Sequence, residues 1–131
     1  MALDVRSCPD LVPALAVRAA LRDGEITRIE NAGRLRLKES DRLSSVTAVL
    51  SAMGAEVTEE PEGLTIRGKA RLRGGVTVDA WNDHRIAMMA AVGAVRCDAP
   101  VTISGGECVR KSYPAFWRDY ELLGGRLEVT E

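Results

Sequence analysis

The sequence has few aromatic residues, one histidine and almost no net charge. Aromatic residues make up only 4% of the 131 residues, so a core has to be built from Leu, Val, Ile and Ala. The 18 Lys and Arg residues are balanced by 19 Asp and Glu residues, for a formal charge of −1. A general nucleic-acid-binding protein carries a clear surplus of positive charge. We therefore expect no nucleic-acid partner.

Long hydrophobic runs and paired cysteines are also missing. The longest apolar run, 86–95, has about half the length that a membrane-spanning helix needs, so we expect no membrane partner. Cys8, Cys97 and Cys108 are odd in number and far apart, which is not typical of a disulfide framework or of a C-x-x-C site. The N-terminus has no basic region leading into an apolar stretch. Together these features predict a reduced, cytoplasmic setting.

What the chain does contain is the composition of a globular protein, with 46% hydrophobic and 28% charged residues. Its length suits one domain or one piece of a larger domain. Hydrophobic periodicity alternates between the helix and strand periods, which predicts a mixed α/β fold. The predicted helices are 9–21, 39–53, 83–95 and 113–123. The predicted strands are 3–5, 25–31, 55–59, 64–67, 76–79, 100–104 and 126–130, with a hairpin turn at 60–63.

An internal repeat underlies this order. Three pairs of equivalent residues share a spacing of 73: Asp10 with Asp83, Lys38 with Lys111, and Leu50 with Leu123. This spacing predicts two tandem units, at about 1–73 and 74–131. Two half-buried units normally need further copies or a partner to close their core.

Charged residues gather where the predicted helices start. Asp10 stands at the first helix start, where it could simply cap free backbone N–H groups. In the segment 34–42, Arg36, Lys38 and Arg42 bracket two carboxylates. An ordinary solvated helix start is the alternative interpretation, because exposed ion pairs contribute little.

The spacing within that segment favours an anion site. Arg36 and Lys38 would point the same way from an extended strand, and Glu39 and Arg42 are three apart on a helix face. Cations beside the first N–H groups of a helix bind phosphate or carboxylate well. Glu39 follows Lys38 directly and is a candidate for proton transfer, because a neighbouring charge tunes a carboxyl pKa.

A second pair of cations lies at the later helix starts. Arg85 falls in a first helical turn, where its charge opposes the helix dipole unless an anion is bound. Lys111 comes just before the last predicted helix, although it could be an ordinary exposed lysine. His84 has no accompanying ligand cluster in the sequence, so we expect no metal and no cofactor. Arg42, Arg85 and Lys111 together suit a substrate with several negative charges, and Asp10 and Glu39 would supply acid or base groups.

Three of these segments also resemble a known family. The stretches 37–43 (LKESDRL), 82–88 (NDHRIAM) and 111–114 (KSYP) are similar to signature segments of the EPSP synthases, the 3-phosphoshikimate 1-carboxyvinyltransferases. The resemblance implies an α/β fold of the enolpyruvyl transferase type, an inverse α/β barrel (alpha-beta prism) built from repeated βαβαββ units. It also implies that residues 1–131 are the C-terminal part of one domain, two units of a half-domain, and that the N-terminal domain is missing.

The resemblance implies a reaction and a set of roles. The family transfers the enolpyruvyl group of phosphoenolpyruvate to the 5-hydroxyl of shikimate 3-phosphate, releasing phosphate, in aromatic amino-acid biosynthesis. The implied catalytic residues are Asp10, which would also contact shikimate 3-phosphate, and Glu39. Lys38 would bind shikimate 3-phosphate. The residues implied for phosphoenolpyruvate are Arg42, Arg85 and Lys111, while Asp83 and His84 would shape the turn that aims Arg85.

Two alternatives stay open at this point. One is an enzyme like UDP-N-acetylglucosamine 1-carboxyvinyltransferase, which shares the fold and the enolpyruvyl chemistry. The other is a non-catalytic module that binds anions. Under the main interpretation, the isolated chain is expected to be catalytically incomplete.

Overall fold

Helices pack between sheets in the fold, which is described for residues 1–130 by a computed structural model. The strands in this range are β1 (Ala2–Asp4), β2 (Ile26–Glu30), β3 (Glu56–Glu60), β4 (Gly63–Arg67), β5 (Thr77–Asp79) and β6 (Thr102–Ser104). The α-helices are α1 (Val12–Ala20), α2 (Arg42–Ala52), α3 (His84–Ala94) and α4 (Phe116–Leu122). Short 3₁₀ helices cover Pro9–Leu11, Gly33–Leu37 and Gly106–Lys111.

The larger sheet has four strands in the order β1-β2-β4-β3. β1 and β2 are parallel and joined through α1, whereas β3 and β4 form the predicted hairpin and β4 lies antiparallel to β2. Alternation along β2 buries Thr27 and Ile29 beneath the helices and leaves their neighbours exposed. β5 and β6 form a separate parallel pair.

The core lies where α1, α2 and α3 meet. Leu43, Leu50 and Ile86 are fully buried there. Gly93 lets α3 approach its neighbours closely, because an added Cβ would lie 3.0 Å from Met53 Cε and 3.2 Å from Val17 Cγ2. Close packing of these helices brings the N-terminal ends of α2 and α3 together, and that meeting point is the site described below.

The order of elements occurs twice. β1, α1, β2, the 3₁₀ helix Gly33–Leu37 and α2 are followed by β5, α3, β6, the 3₁₀ helix Gly106–Lys111 and α4. Each series begins with a parallel strand pair connected by a helix. This order is the one that a repeat of 73 residues predicts, whereas the boundary between the two units near residue 73 stays a prediction.

Three local predictions are wrong. Residues 126–130, which follow α4, form no strand. The corresponding segment after α2 is β3, which is paired with β4, whereas nothing in the described chain pairs with 126–130. Arg36 lies in a 3₁₀ helix rather than in an extended strand, and the following Lys38 is its C-cap. Glu39 precedes α2 because Asp41 caps the helix, accepting a hydrogen bond from the Ser44 N–H at 3.3 Å.

The last helix also starts later than predicted. α4 begins at Phe116, so Pro114 precedes the helix instead of lying in its first turn. The chain leaves α2 through Gly54, which has a φ of 87°, a conformation in which glycine is favoured after a helix end. None of the helices in residues 1–130 has the length and apolar character needed to cross a membrane.

Candidate active site

Arg42 is the centre of a cluster of charged groups. It is the first residue of α2, and its side chain is only 1% exposed. Its Nε donates to Asp83 Oδ2 at 2.8 Å and its Nη1 donates to Asp10 Oδ1 at 3.0 Å. Its Nη2 donates to a carboxylate oxygen of Glu39. One guanidinium therefore joins three carboxylates from three separate segments of the chain.

Asp83 is the buried partner that holds the Arg42 side chain in place. Its carboxylate is 0% exposed, caps α3 by accepting the Arg85 N–H at 3.0 Å, and accepts the Ser40 hydroxyl at 2.8 Å. Burial by itself raises the pKa of Asp83, but the hydrogen bonds from Arg42 and Ser40 outweigh it and hold this pKa below its usual value. For Arg42, burial favours a lower pKa, but its hydrogen bonds to the Asp83 carboxylate and the charge of that carboxylate reverse this to a raised pKa. Both groups are therefore charged in the folded chain.

An unusual turn delivers Asp83 to this position. Trp81 and Asn82 have φ values of 57° and 51°, in the left-handed region that non-glycine residues seldom adopt. The Trp81 N–H is held by Asp79 Oδ1 at 2.7 Å. The two left-handed residues turn the chain from β5 into α3, so that the Asp83 side chain points inward to Arg42.

Asp10, like Glu39, is an accessible carboxylate of the cluster. It is half exposed, and its Oδ1 lies 3.4 Å from Lys38 Nζ and 3.0 Å from Arg42 Nη1. Partial burial favours a raised pKa, but the charges of Lys38 and Arg85 exceed this effect, and the pKa of Asp10 is lowered. Asp10 is therefore ionised at neutral pH and can accept a hydrogen bond from a ligand hydroxyl.

Arg85 and Lys111 have no carboxylate partner within 4 Å in the described chain. Arg85 Nη1 is 3.5 Å from the backbone carbonyl oxygen of Asp10, and Lys111 Nζ donates to the Asn82 carbonyl at 2.6 Å. Carbonyl oxygens orient these cations without neutralising them. Their charge is available to an incoming anion.

The structure thus brings together the residues that the sequence predicted for the site. Asp10, Lys38, Glu39 and Arg42 are linked directly, and Arg85 reaches Asp10. Lys111 joins through the Asn82 turn. Asp83 was not predicted to be the buried partner of Arg42. It was expected only to shape the turn before Arg85. The signal was present, since an aspartate at a helix start near an arginine-rich segment is a natural partner for a buried arginine.

A metal ion is disfavoured by the charges already present. Ligand atoms of Glu39, Asp83 and His84 lie within 4.8 Å of one another, and the buried His84 Nδ1 has no hydrogen-bond partner within residues 1–130. However, the Arg42 guanidinium is bonded to both carboxylates. A metal cation would have to displace the Arg42 guanidinium from these two carboxylates or bind beside its positive charge.

Comparison with known proteins identifies the family. The family model for EPSP synthase (3-phosphoshikimate 1-carboxyvinyltransferase) matches residues 1–120. The chain belongs to the EPSP synthase family. The resemblance seen in the sequence motifs is therefore confirmed, and it extends over almost the whole chain.

Individual relatives support the same assignment. A 3-phosphoshikimate 1-carboxyvinyltransferase of Clostridium acetobutylicum is 56% identical over 123 residues, covering 94% of this chain and 28% of the relative. One of Clostridium kluyveri is 52% identical over 126 residues, covering 96% and 29%. A structure of EPSP synthase from Acinetobacter baumannii matches with a TM-score of 0.89 at 34% identity, covering 97% of this chain and 30% of the other.

These comparisons confirm the predicted EPSP synthase fold. They also show that the chain spans less than a third of the length of the EPSP synthases it matches. The clustered residues therefore correspond to one part of the EPSP synthases that the chain matches.

Proposed function

We propose that the chain forms the C-terminal share of an active site that transfers the enolpyruvyl group of phosphoenolpyruvate to the 5-hydroxyl of shikimate 3-phosphate, releasing phosphate. The supporting observation is the cluster of cations around Asp10: Lys38 and Arg42 bond to its carboxylate and Arg85 reaches its carbonyl. Both substrates carry several negative charges, so this arrangement suits them.

Asp10 and Lys38 are assigned to shikimate 3-phosphate. Their charged atoms lie 3.4 Å apart at the accessible edge of the cluster. A hydroxyl that enters between them donates to the Asp10 carboxylate and accepts from the Lys38 ammonium. Asp10 is then placed to take the proton of the 5-hydroxyl as a general base. Its lowered pKa in the ligand-free chain makes it a weak base, and binding of an anionic ligand beside it raises that pKa.

Arg42, Arg85 and Lys111 are assigned to phosphoenolpyruvate. Arg85 and Lys111 carry charge that no carboxylate of the described chain neutralises within 4 Å, and they fit the carboxylate and phosphate groups of this substrate. Arg42 is buried against Asp10, Glu39 and Asp83. Four of its five N–H groups bond these carboxylates in the described chain, so part of its effect is exerted through the carboxylates it holds.

Glu39 is assigned to proton transfer. In the proposed reaction the 5-hydroxyl oxygen bonds to C2 of phosphoenolpyruvate while the methylene carbon gains a proton. Loss of phosphate and of a proton from the new methyl group then restores the enol ether. Glu39 lies beside Arg42 at the exposed side of the cluster, where it can give the proton to the methylene carbon and take it back.

The rest of the site is proposed to come from the part of an EPSP synthase that this chain does not span, including the N-terminal domain. The two proposed tandem units then form part of one domain of that protein. The isolated chain is expected to show weak binding of each substrate and no turnover, because the contacts from the rest of the site would be absent.

An NMR titration of the isolated chain tests the binding. Shikimate 3-phosphate is expected to shift the backbone resonances of Lys38 and its neighbours, and phosphoenolpyruvate those around Arg85 and Lys111. Lys38→Met should weaken shikimate 3-phosphate binding about tenfold or more, equivalent to a charged hydrogen bond worth about 1.5–3 kcal/mol. Lys69→Met is the matched control, since Lys69 is a partly exposed lysine that pairs with Glu56 away from the cluster. Equal effects of the two substitutions would contradict the assignment.

A chimera tests the reaction. Residues 1–123 of this chain replace the matching segment of the C. acetobutylicum relative, and phosphate release is measured with both substrates. Turnover is expected, with Asp10→Asn and Glu39→Gln each lowering it by at least about a hundredfold, the size typical of acid–base groups. Turnover only with UDP-N-acetylglucosamine as acceptor would favour the other enolpyruvyl transferase. A folded chimera that binds phosphate but turns over neither acceptor would favour a non-catalytic anion-binding module.

A further inference from the structure

Arg36 is a partly exposed cation near the site, and each of its three side-chain nitrogens donates a hydrogen bond. It does not contact Arg42 or Asp10. Its Nε donates to the Pro61 carbonyl at 3.0 Å, and its Nη2 donates to the Glu60 carbonyl at 2.9 Å. Both carbonyls belong to the turn between β3 and β4. The 3₁₀ helix Gly33–Leu37 is thereby fastened to this hairpin.

The remaining donors of Arg36 bind the start of α2. Nη1 lies 2.9 Å from Asp41 Oδ2 and 3.0 Å from Glu59 Oε2. Asp41 is the N-cap of α2, and the Ser44 hydroxyl of the same helix donates to Glu59 Oε2 at 3.0 Å. Arg36 therefore connects three elements: the 3₁₀ helix, the hairpin and the first turn of α2.

The chain between Arg36 and Asp41 is the segment that carries site residues. Lys38 extends from it to Asp10, and Glu39 extends from it to Arg42. The segment has little apolar anchoring of its own, because Leu37 is 87% exposed. A bond between its two ends, from Arg36 to Asp41, closes it into a short loop of fixed shape.

We propose that Arg36 is a positioning residue, which holds the loop 37–40 so that Lys38 stays against Asp10 and Glu39 stays against Arg42. The identity of the ligand that Lys38 and Glu39 would contact rests on the proposed function. The placement of Lys38 by Arg36 is a property of the chain itself and is measurable without ligand.

Only arginine suits this position. Two carbonyl oxygens and two carboxylates are bound at once by the planar fork of N–H groups, whereas a lysine ammonium has three donors on a flexible stem. Arg36→Lys keeps the charge but loses the fork. It is therefore expected to behave like Arg36→Ala, not like the wild-type chain.

The titration of the Asp10 carboxyl group, followed by NMR, separates positioning from a merely structural role. The charged groups that face Asp10 are Lys38, Arg42 and Arg85. Lys38→Met should move the titration midpoint of Asp10 upward, because a cation that stabilises the carboxylate is removed. Arg36→Ala should produce more than half of that upward shift while Lys38 is still present.

A double variant closes the test. If Arg36 acts through Lys38, adding Arg36→Ala to Lys38→Met leaves the midpoint where Lys38→Met alone puts it. Arg22→Ala is the control, since Arg22 makes a two-bond pair with Glu25 at a distance from the cluster, and it should leave Asp10 unchanged. Arg36→Gln keeps an amide NH₂ group that can donate to the hairpin carbonyls. It is the second variant if Arg36→Ala folds poorly, and it should also raise the titration midpoint of Asp10.

Two results would overturn the proposal. One is a folded Arg36→Ala or Arg36→Gln chain with a wild-type Asp10 midpoint, which would leave Arg36 a purely structural clamp. The other is full additivity with Lys38→Met, which would mean that Arg36 acts by its own charge. Failure of substrate binding would count against the proposed function and leave this titration unaffected, so the two failures are distinguishable.

Discussion

At the scale of single residues, the free energy of this fold depends on a buried cation. Removing a guanidinium from water is costly, and the cost is offset here because Arg42 is bonded to Asp10, Glu39 and Asp83. Asp83 in turn has no exposed surface. Removal of Arg42 therefore leaves the buried Asp83 as an uncompensated charge in the interior.

The substitution Arg42→Met tests this dependence. We expect the free energy of unfolding to fall by about 3–5 kcal/mol, the range for breaking one side of a buried ion pair. Arg22→Met, which removes an exposed pair with Glu25, should change it far less, because exposed ion pairs contribute little. Urea unfolding followed by circular dichroism measures both. A cost for Arg42→Met no larger than that for Arg22→Met would contradict the burial of this ion pair.

The lowered pKa of Asp83 predicts sensitivity to acid. The unfolded chain takes up a proton near the ordinary aspartate pKa of about 3.9, whereas the folded chain resists protonation at Asp83. The stabilising contribution is therefore fully present above about pH 5 and is lost as the pH falls through the folded-state pKa. Urea unfolding between pH 3 and pH 6 should show a steeper decline for the wild-type chain than for Asp83→Asn. Parallel declines would argue against this source of acid sensitivity.

At the scale of elements, α3 owes its close contact with α1 and α2 to one missing side chain. Gly93 faces Met53 and Val17 at distances that leave little space for a Cβ. Gly93→Val should lower the free energy of unfolding by about 1–3 kcal/mol, as extra methyl groups do in a filled core. Val92→Ala on the exposed face of the same helix is the control and should have a small effect. Thermal unfolding of the two variants compares them, and a stabilised Gly93→Val chain would show that the helices can separate at no cost.

Most elements were predictable because their signals are local. The stripe of Val46, Val49 and Leu50 identifies α2, and the turn-forming Pro61 and Gly63 identify the hairpin. The 3₁₀ helix before Lys38 was missed because one short turn leaves no hydrophobic period. The strand predicted at 126–130 failed because a strand needs a partner, and pairing is not a property of one segment.

The site was predictable in membership but not in arrangement. The charged residues at the helix starts marked which side chains to consider. The burial of Arg42 was invisible, because its partners Asp10 and Asp83 are 32 and 41 positions away. A charged helix start looks the same in sequence whether water or distant carboxylates solvate it.

At the scale of the whole molecule, the repeat leaves one helix poorly covered. Leu122 and Leu123 of the α4 end are 75% and 89% exposed, yet the equivalent residues of α2, Val49 and Leu50, are 2% and 0% exposed. β3 and β4 pack on α2, and no described hairpin packs on α4. The second of the two predicted units therefore exposes apolar surface that the first one buries.

Matched lysine substitutions measure this difference. Leu123→Lys should change the free energy of unfolding by less than about 0.5 kcal/mol, as exposed sites usually do. Leu50→Lys, at the same place in the repeat, should cost several kcal/mol because a charge would be buried without a partner. Binding of a hydrophobic dye should also fall in Leu123→Lys. An equally large destabilisation by both substitutions would show that α4 is covered in solution.

The left-handed turn at Trp81 and Asn82 gives the molecule an optical probe of its own. The Trp81 indole is 48% exposed, and its neighbour Asn82 binds Lys111 through the backbone carbonyl. The other tryptophan, Trp117, packs against Phe116 and Tyr120 and donates to the Gly106 carbonyl. A Trp117→Phe chain would have one tryptophan, next in sequence to the Asn82 carbonyl that Lys111 binds. Its emission would report the arrival of an anion within milliseconds of mixing, with no label attached.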